Sequence, residues 1–237
     1  MPDRVAIVTG VGARGQVGFA VALALLRAGA RVLVSGHGAG VEALAEELRA
    51  EGGDVAAARA DLTTAEGAES VVATARSRFG RLDLLVNVAG GLTVIKPLAE
   101  TTDDEWTREL DRNARTCFLM CRAALPLLRE SRGAIVNFAS PAGERAVATL
   151  GAYSAGKAAV IALTRALALE EASRGVRVNA IAPGMIDTEQ NRASAGDPAQ
   201  VKWVSREQIA DAVLFLAGPA AGGITGETLH VLGGSGR

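Results

Sequence analysis

A phenol and an amine stand four residues apart at Tyr153 and Lys157, and a hydroxyl, Ser140, precedes the phenol by thirteen residues. On a helix, positions i and i+4 share a face, so the two side chains would point the same way. A free tyrosine ionises near pH 10, too high for ready proton exchange at neutrality. A fixed cation beside it favours the phenolate and brings that value down. Ser140 closes the apolar run Ile135-Val136-Asn137-Phe138-Ala139, which puts it at the mouth of a strand, where it can hold an oxygen next to the phenol. A proton donor, its tuner and an orienting hydroxyl suit chemistry at a carbonyl or an alcohol. The Tyr-x-x-x-Lys spacing also arises by chance on surface helices, so its weight depends on the elements that position it.

Those elements alternate along the chain. Short runs rich in Val, Ile and Leu predict strands at 5–9, 31–35, 55–59, 82–87, 134–138, 176–181 and 228–231. They show little polar alternation, as expected of strands covered on both faces. Helical periodicity predicts helices at 17–28, 41–51, 65–79, 103–129, 152–174 and 206–217, with Pro126 expected to kink or end its helix early. Strand–helix repetition with short links implies an α/β fold: a single-domain, Rossmann-type doubly wound parallel sheet of about seven strands with helices on both faces, spanning 1–237. The one long irregular stretch, 185–202, is polar and rich in small residues, and is expected to act as a substrate lid.

Composition narrows the partners. Hydrophobic residues make up 49% of the chain but aromatics only 3%, so the core must be built from Ala, Val, Leu and Ile. A net charge of -1 with no basic run argues against nucleic acid or an anionic membrane. Cys117 and Cys121 fall within one helical pattern, poorly aimed for a bridge, and read as buried free thiols of a reducing compartment. His37 and His230 lie far apart, so no Cys/His cluster resembles a zinc site and no metal is expected. Met1-Pro2-Asp3-Arg4 leads directly into a strand rather than a signal peptide, and the apolar run 19–26 is far short of the ~20 residues that span a bilayer. A cytoplasmic protein is expected.

After the first strand comes Thr9-Gly10-Val11-Gly12-Ala13-Arg14-Gly15-Gln16-Val17-Gly18, in which Gly10, Gly12 and Gly15 match G-x-G-x-x-G. Glycines there let the backbone turn sharply and approach a pyrophosphate, and the following helix presents free N–H groups and its positive dipole end. The second strand ends in Val34-Ser35-Gly36-His37-Gly38, with no acid to bind a ribose 2′-hydroxyl, while Arg14 offers a planar cation. That combination points to NADP(H) over NAD(H), with Ser35 and His37 as further candidate contacts.

Taken in order, these pieces resemble the classical short-chain dehydrogenase/reductase family over essentially the whole chain. Thr9-Gly10 and Gly18, with Val17 between, look like its glycine motif. Asp61-Leu62 falls where the family contacts adenine, and Asn87-Val88-Ala89-Gly90 resembles its Asn-Asn-Ala-Gly turn. Asn113 stands where the family has a catalytic Asn. The spacing of Ser140, Tyr153 and Lys157 is the family's, and Pro183-Gly184, Ile186 and Thr188 are similar to its nicotinamide-side motif. The resemblance implies hydride transfer between NADP(H) and a ketone or secondary alcohol. In it Tyr153 is the acid/base, Lys157 lowers its pKa and holds the nicotinamide ribose, Ser140 binds the substrate oxygen, and Asn113 helps hold a water. An NAD-linked polyol or hydroxy-acid dehydrogenase, or a nucleotide-sensing module without turnover, are the alternatives. The resemblance also implies a homo-oligomer, tetramer or dimer, and a pocket walled by 91–94, 141–150 and 185–202. Leu92, Val147, Leu150 and Met185 beside Glu144 and Arg145 suit a partly apolar small-molecule carbonyl or alcohol. Four features depart from the family: the glycine loop is two residues longer, Val88 replaces the second Asn, Arg115 and Thr116 follow Asn113 where a small residue is common, and Leu232 replaces an acid in Val231-Leu232-Gly233-Gly234.

Overall fold

The apolar runs pair into one sheet in the computed structural model, which describes residues 1–145 and 147–234. Its strands are β1 (Val5–Val8), β2 (Arg31–Gly36), β3 (Val55–Arg59), β4 (Leu84–Asn87), β5 (Ala134–Phe138), β6 (Arg177–Pro183) and β7 (Thr228–Val231). All pairings are parallel, in the order β3-β2-β1-β4-β5-β6-β7. Alternate residues serve opposite cores. Ala6 and Val8 pack with the helices α1 (Val17–Arg27), α2 (Val41–Ala50) and α8 (Arg206–Ala217). Val5 and Ile7 pack on the other face with α3 (Ala65–Phe79), α5 (Thr116–Ser131) and α6 (Gly151–Glu171). Burying both faces explains the near-continuous apolar strands; each Val, Leu or Ile side chain so buried contributes about 1.5–3 kcal/mol.

The chain runs outward from β1 through β2 to β3, then returns to place β4 on β1's other side. The connections leaving β1 and β4 therefore diverge, and a crevice opens at their C-terminal ends. The strand ends that matter for function, Thr9-Gly10, Ala89-Gly90, Ser140 and Pro183-Gly184, all lie on that edge.

Three expectations need correction. The predicted helix 103–129 is two helices, α4 (Asp103–Leu110) and α5, joined by one turn of π-helix at Asp111–Arg115. Pro126 does not end α5, which runs on to Ser131. It occupies an exposed position, where the carbonyl it leaves without an N–H partner can face water. The stretch 185–202 is not wholly irregular: it contains α7 (Glu189–Ser194), capped by Thr188, and is tied down by a bridge between Ile186 and Val204. Ala146, inside the expected pocket wall, lies outside the described residues.

Candidate active site

α6 begins just before Tyr153 and carries Tyr153 and Lys157 on one face, as their spacing requires. Lys157 is buried, its Nζ donates to the Phe138 carbonyl at the end of β5 (2.7 Å) and lies 5.8 Å from the Tyr153 ring centre. Burial disfavours its ammonium and lowers its pKa to about 8, against the opposing pull of Cys117 and Glu109. Tyr153 is held above its ordinary value, chiefly by burial; the neighbouring Ser140 hydroxyl pulls it down and Glu109 pushes it up. So the phenol is a proton donor at neutral pH until something else stabilises its anion. Ser140 also caps the turn Pro141–Gly143, accepting from the Ala142 N–H at 3.2 Å. That contact orients the hydroxyl oxygen beside the phenol rather than competing with it.

Asn113 sits in the π-turn, fully enclosed. Its Oδ1 accepts from the Gly91 N–H, and its Nδ2 donates to the carbonyls of Gly91 and Glu109, all at 3.0 Å. The side chain is therefore committed to holding the Gly90-Gly91 backbone over Lys157. A Cβ on Gly90 would lie 2.8 Å from the Asn113 Oδ1 and 3.3 Å from the Lys157 Nζ, at a φ of +147° that side chains avoid.

The glycine loop divides differently from the pattern G-x-G-x-x-G. Gly10 and Gly18 are the packed glycines: a Cβ on Gly10 would meet the Ala89 nitrogen at 2.7 Å, and one on Gly18 the Gly10 carbonyl at 2.7 Å. Thr9 fastens the turn to β4's end by accepting the Ala89 N–H at 3.0 Å. Gly12 and Gly15 belong to an exposed bulge, neither with positive φ, which absorbs the two extra residues before α1 starts at Val17. Arg14 in that bulge is exposed and reaches Glu47 on α2 at 3.7 Å. The N-cap residue of α1, Gln16, makes no side-chain cap, so the leading amides stay available to an anion.

The other expected contacts are scattered in role. Ser35 is fully buried, with a hydroxyl that has no partner among the described residues, and the turn after β2 begins at His37. His37 is exposed. Asp61 accepts the Thr63 N–H and hydroxyl, which hold its carboxyl below the usual carboxylate range, while Leu62 is buried. Asn87 turns inward: its Nδ2 donates to Asn137 Oδ1 at 2.9 Å and to Cys121 Sγ at 3.3 Å, so only the backbone that follows, at Ala89 and Gly90, edges the crevice. Both cysteines are free and buried. Pro183 ends β6, Gly184 donates to Val231 at 2.9 Å, and the Thr188 hydroxyl accepts from Asn191 at 3.2 Å.

Three residues escaped the sequence reading. Arg59, ending β3, donates through Nε to the His37 carbonyl at 3.2 Å, placing a guanidinium beside the turn after β2. Its only signal is a cation closing an otherwise apolar strand. Arg206, first in α8, lies beside the loop: a Cβ on Gly15 would be 3.9 Å from its Nη1. Glu109, one helical turn before Asn113, is fully buried.

A parallel sheet of this order, with a glycine turn at its switch point and a Tyr–Lys pair beside the next strand ends, defines a dinucleotide-fold oxidoreductase. The model of the enoyl-(acyl carrier protein) reductase family matches residues 10–235. The 3-oxoacyl-[acyl-carrier-protein] reductase FabG of Vibrio harveyi is 38% identical over 244 residues, covering 99% of this chain and 98% of that protein. That of Escherichia coli is 36% identical over 241 residues, covering 98% and 96%. Among solved structures, a Serratia marcescens short-chain dehydrogenase/reductase mutant superposes with a TM-score of 0.91 at 34% identity, covering 98% of each chain. A 7α-hydroxysteroid dehydrogenase complexed with NADH and 7-oxo glycochenodeoxycholic acid also gives 0.91, at 30% identity, covering 99% of this chain and 94% of that one.

The chain belongs to the short-chain dehydrogenase/reductase family. It is an NAD(P)-dependent oxidoreductase acting on CH–OH or C=O groups of small molecules. Among the described residues no helix is long and apolar enough to cross a membrane, and no group of three or more His, Cys, Asp or Glu could hold a metal ion.

Proposed function

We propose that the protein reduces a ketone with NADP(H), and oxidises the corresponding secondary alcohol in reverse, through Tyr153, Lys157, Ser140 and Asn113. The observation that carries this reading is the buried Lys157 ammonium, fixed by the Phe138 carbonyl within reach of a phenol that shares its helix face. Bound nicotinamide supplies or accepts the hydride. The Tyr153 phenol gives its proton to the oxygen that becomes an alcohol, and Ser140 orients that oxygen. The charge left on the phenolate is answered by Lys157, so proton release is easier during reaction than in the resting protein. Asn113 fixes the Gly90-Gly91 backbone that edges the same space.

The crevice fits the cofactor on its own terms. The Gly10 turn is packed too tightly on Ala89 for any side chain, Gln16 makes no side-chain cap on the α1 amides, and Arg206 lies beside the loop. NADP(H) is favoured because the end of β2 carries no acid while Arg59 and His37 flank it. The mouth is partly apolar: Leu92, Val147 and Met185 are exposed there. A 3-oxoacyl thioester, the group on which the FabG relatives act by name, is the first substrate to try. The reading extends to a cytoplasmic homo-oligomer.

The test is a panel of 3-oxoacyl thioesters, alkyl ketones and keto steroids, each followed by loss of reduced-nicotinamide absorbance with NADPH and with NADH. Turnover of at least one ketone, faster with NADPH at equal concentration, is expected. Tight cofactor binding without turnover of any member would instead favour a nucleotide sensor.

A further inference from the structure

Glu109 is fully buried at the end of α4, one turn before Asn113. Its carboxylate accepts the Thr93 N–H at 3.2 Å to each oxygen, and also the Thr93 hydroxyl. Its backbone carbonyl takes an N–H of Asn113 at 3.0 Å. Fully buried carboxylates are rare unless paired, because removing the charge from water is expensive. Yet among the described residues Glu109 makes no ion pair with Lys or Arg; Lys96, in the same loop as Thr93, pairs with Glu105 instead. The cation nearest in consequence is Lys157, itself buried and bonded, among the described residues, to a carbonyl alone. The two meet through Asn113: a Cβ on Gly156, the residue before Lys157, would lie 3.2 Å from the Asn113 Cβ and 3.6 Å from the Glu109 carbonyl, so α4 and α6 pack in contact where these two buried groups sit.

We propose that Glu109 is a positioning residue of the reaction: its oxygens hold the Thr93 wall of the substrate pocket, and its charge keeps Lys157 an ammonium and Tyr153 a phenol between turnovers. The proposal rests on the roles given above to Tyr153 and Lys157. The titratable groups it acts on are Tyr153 and Lys157 from α6; its own segment adds Glu105, Arg108, Asp111 and Arg112, and the loop that carries Thr93 adds Lys96, which is paired with Glu105. A negative charge here opposes ionisation of the phenol and deprotonation of the amine alike. Removing it must move both events toward lower pH. A purely mechanical support for Thr93 would move neither.

Tyr153 is the only tyrosine, so ultraviolet titration of phenolate reads this one group in the free protein, without any substrate. In Glu109→Gln the phenolate is expected at lower pH by at least about half a unit, in line with loss of a nearby like charge. Thr93→Val, which loses the hydroxyl contact but keeps the charge, should titrate as the parent does and raise the KM of whichever ketone is turned over. Should Glu109→Gln fail to fold, Glu109→Leu made together with Thr93→Val gives the same reading, because replacing both partners of a buried hydrogen bond by apolar groups of similar shape is often nearly neutral. In alcohol oxidation both limbs of the pH–rate profile should move down with the phenolate. A parental phenolate titration in Glu109→Gln or in the double variant overturns the proposal, whether or not KM changes. The titration needs no turnover, so its outcome is separate from whether a ketone is ever found.

Discussion

The two ends of the crevice are built by opposite rules. At the reaction end, Asn113, Lys157 and Glu109 are enclosed and held by backbone or side-chain atoms from other elements, and Tyr153 beside them is half-buried. At the glycine-loop end, Arg14, His37, Arg59 and Asp61 are exposed and make surface contacts with near neighbours. Buried groups there would hold one geometry and one protonation state; exposed ones adjust to a ligand and are screened by salt. The difference implies large, salt-insensitive effects from mutation at the first end and small, salt-sensitive ones at the second.

Tyr153→Phe breaks the reaction end most cleanly. It deletes one oxygen, keeps the ring that fills the half-buried site, and leaves no other phenol in the chain. The expected loss in kcat is about 10³-fold, within the range for removing a positioned general acid. Cofactor affinity, measured by fluorescence titration, should not change. Near-parental turnover would show that the proton comes from elsewhere.

Lys157→Met separates catalysis from stability. The free protein keeps an ammonium whose pKa has fallen from 10.5 to about 8. The charged form is disfavoured on folding, so the penalty is present in full below pH 8 and fades as pH rises from there toward 10.5. That span corresponds to about 3 kcal/mol at pH 7. Methionine removes the penalty but strands the Phe138 carbonyl, at a cost of about 1–3 kcal/mol. The burial penalty is the slightly larger quantity, so the variant's Tm at pH 7 should match or exceed the parent's while kcat falls about 100-fold or more. The Tm gap should then close as pH is raised past 8. A variant that melts well below the parent at pH 7 would mean that Glu109 and the Phe138 carbonyl together outweigh the desolvation.

Much of this contrast follows from what a sequence can carry. Strands such as Ala6-Ile7-Val8 were legible because burial on both faces leaves no polar alternation, and Tyr153, Lys157 and Ser140 because their spacing is local to one helix and one strand end. The π-turn at Asp111–Arg115 was not legible: whether a turn closes at four residues or five depends on what packs beside Asn113, and that is Gly156 of α6, against which its Cβ rests. Gly12 and Gly15 drew the eye as a motif, yet closeness to Ala89 falls to Gly10 and closeness to the Gly10 carbonyl to Gly18. Nothing near Glu109 in the sequence marks it, because the residue that bonds its carboxylate, Thr93, lies sixteen residues earlier. Asn87 was expected in the crevice, but the residues that draw it inward, Asn137 and Cys121, lie far along the chain.

Arg59 sharpens the other side of the comparison. The register Gly36↔Arg59 brings it beside the turn after β2, where its Nε already supports the His37 carbonyl. An anion on the adenine ribose would find that guanidinium and His37 where a dehydrogenase specific for NAD keeps an acid. The group is exposed, so its contribution is that of a surface charge, up to about 1 kcal/mol, which is roughly fivefold in affinity. Arg59→Ala should therefore weaken NADP(H) by about threefold to fivefold. NAD(H) affinity should stay the same, and so should kcat at saturating cofactor. Raising the salt from about 0.1 M to 1 M shortens the screening length from about 10 Å to 3 Å. It should erase most of the difference between variant and parent, while the losses in Tyr153→Phe and Lys157→Met stand unchanged. Equal weakening of both cofactors would place Arg59 on the turn's structure rather than on the phosphate, and any preference for NADP(H) would then have to come from Arg14 or His37.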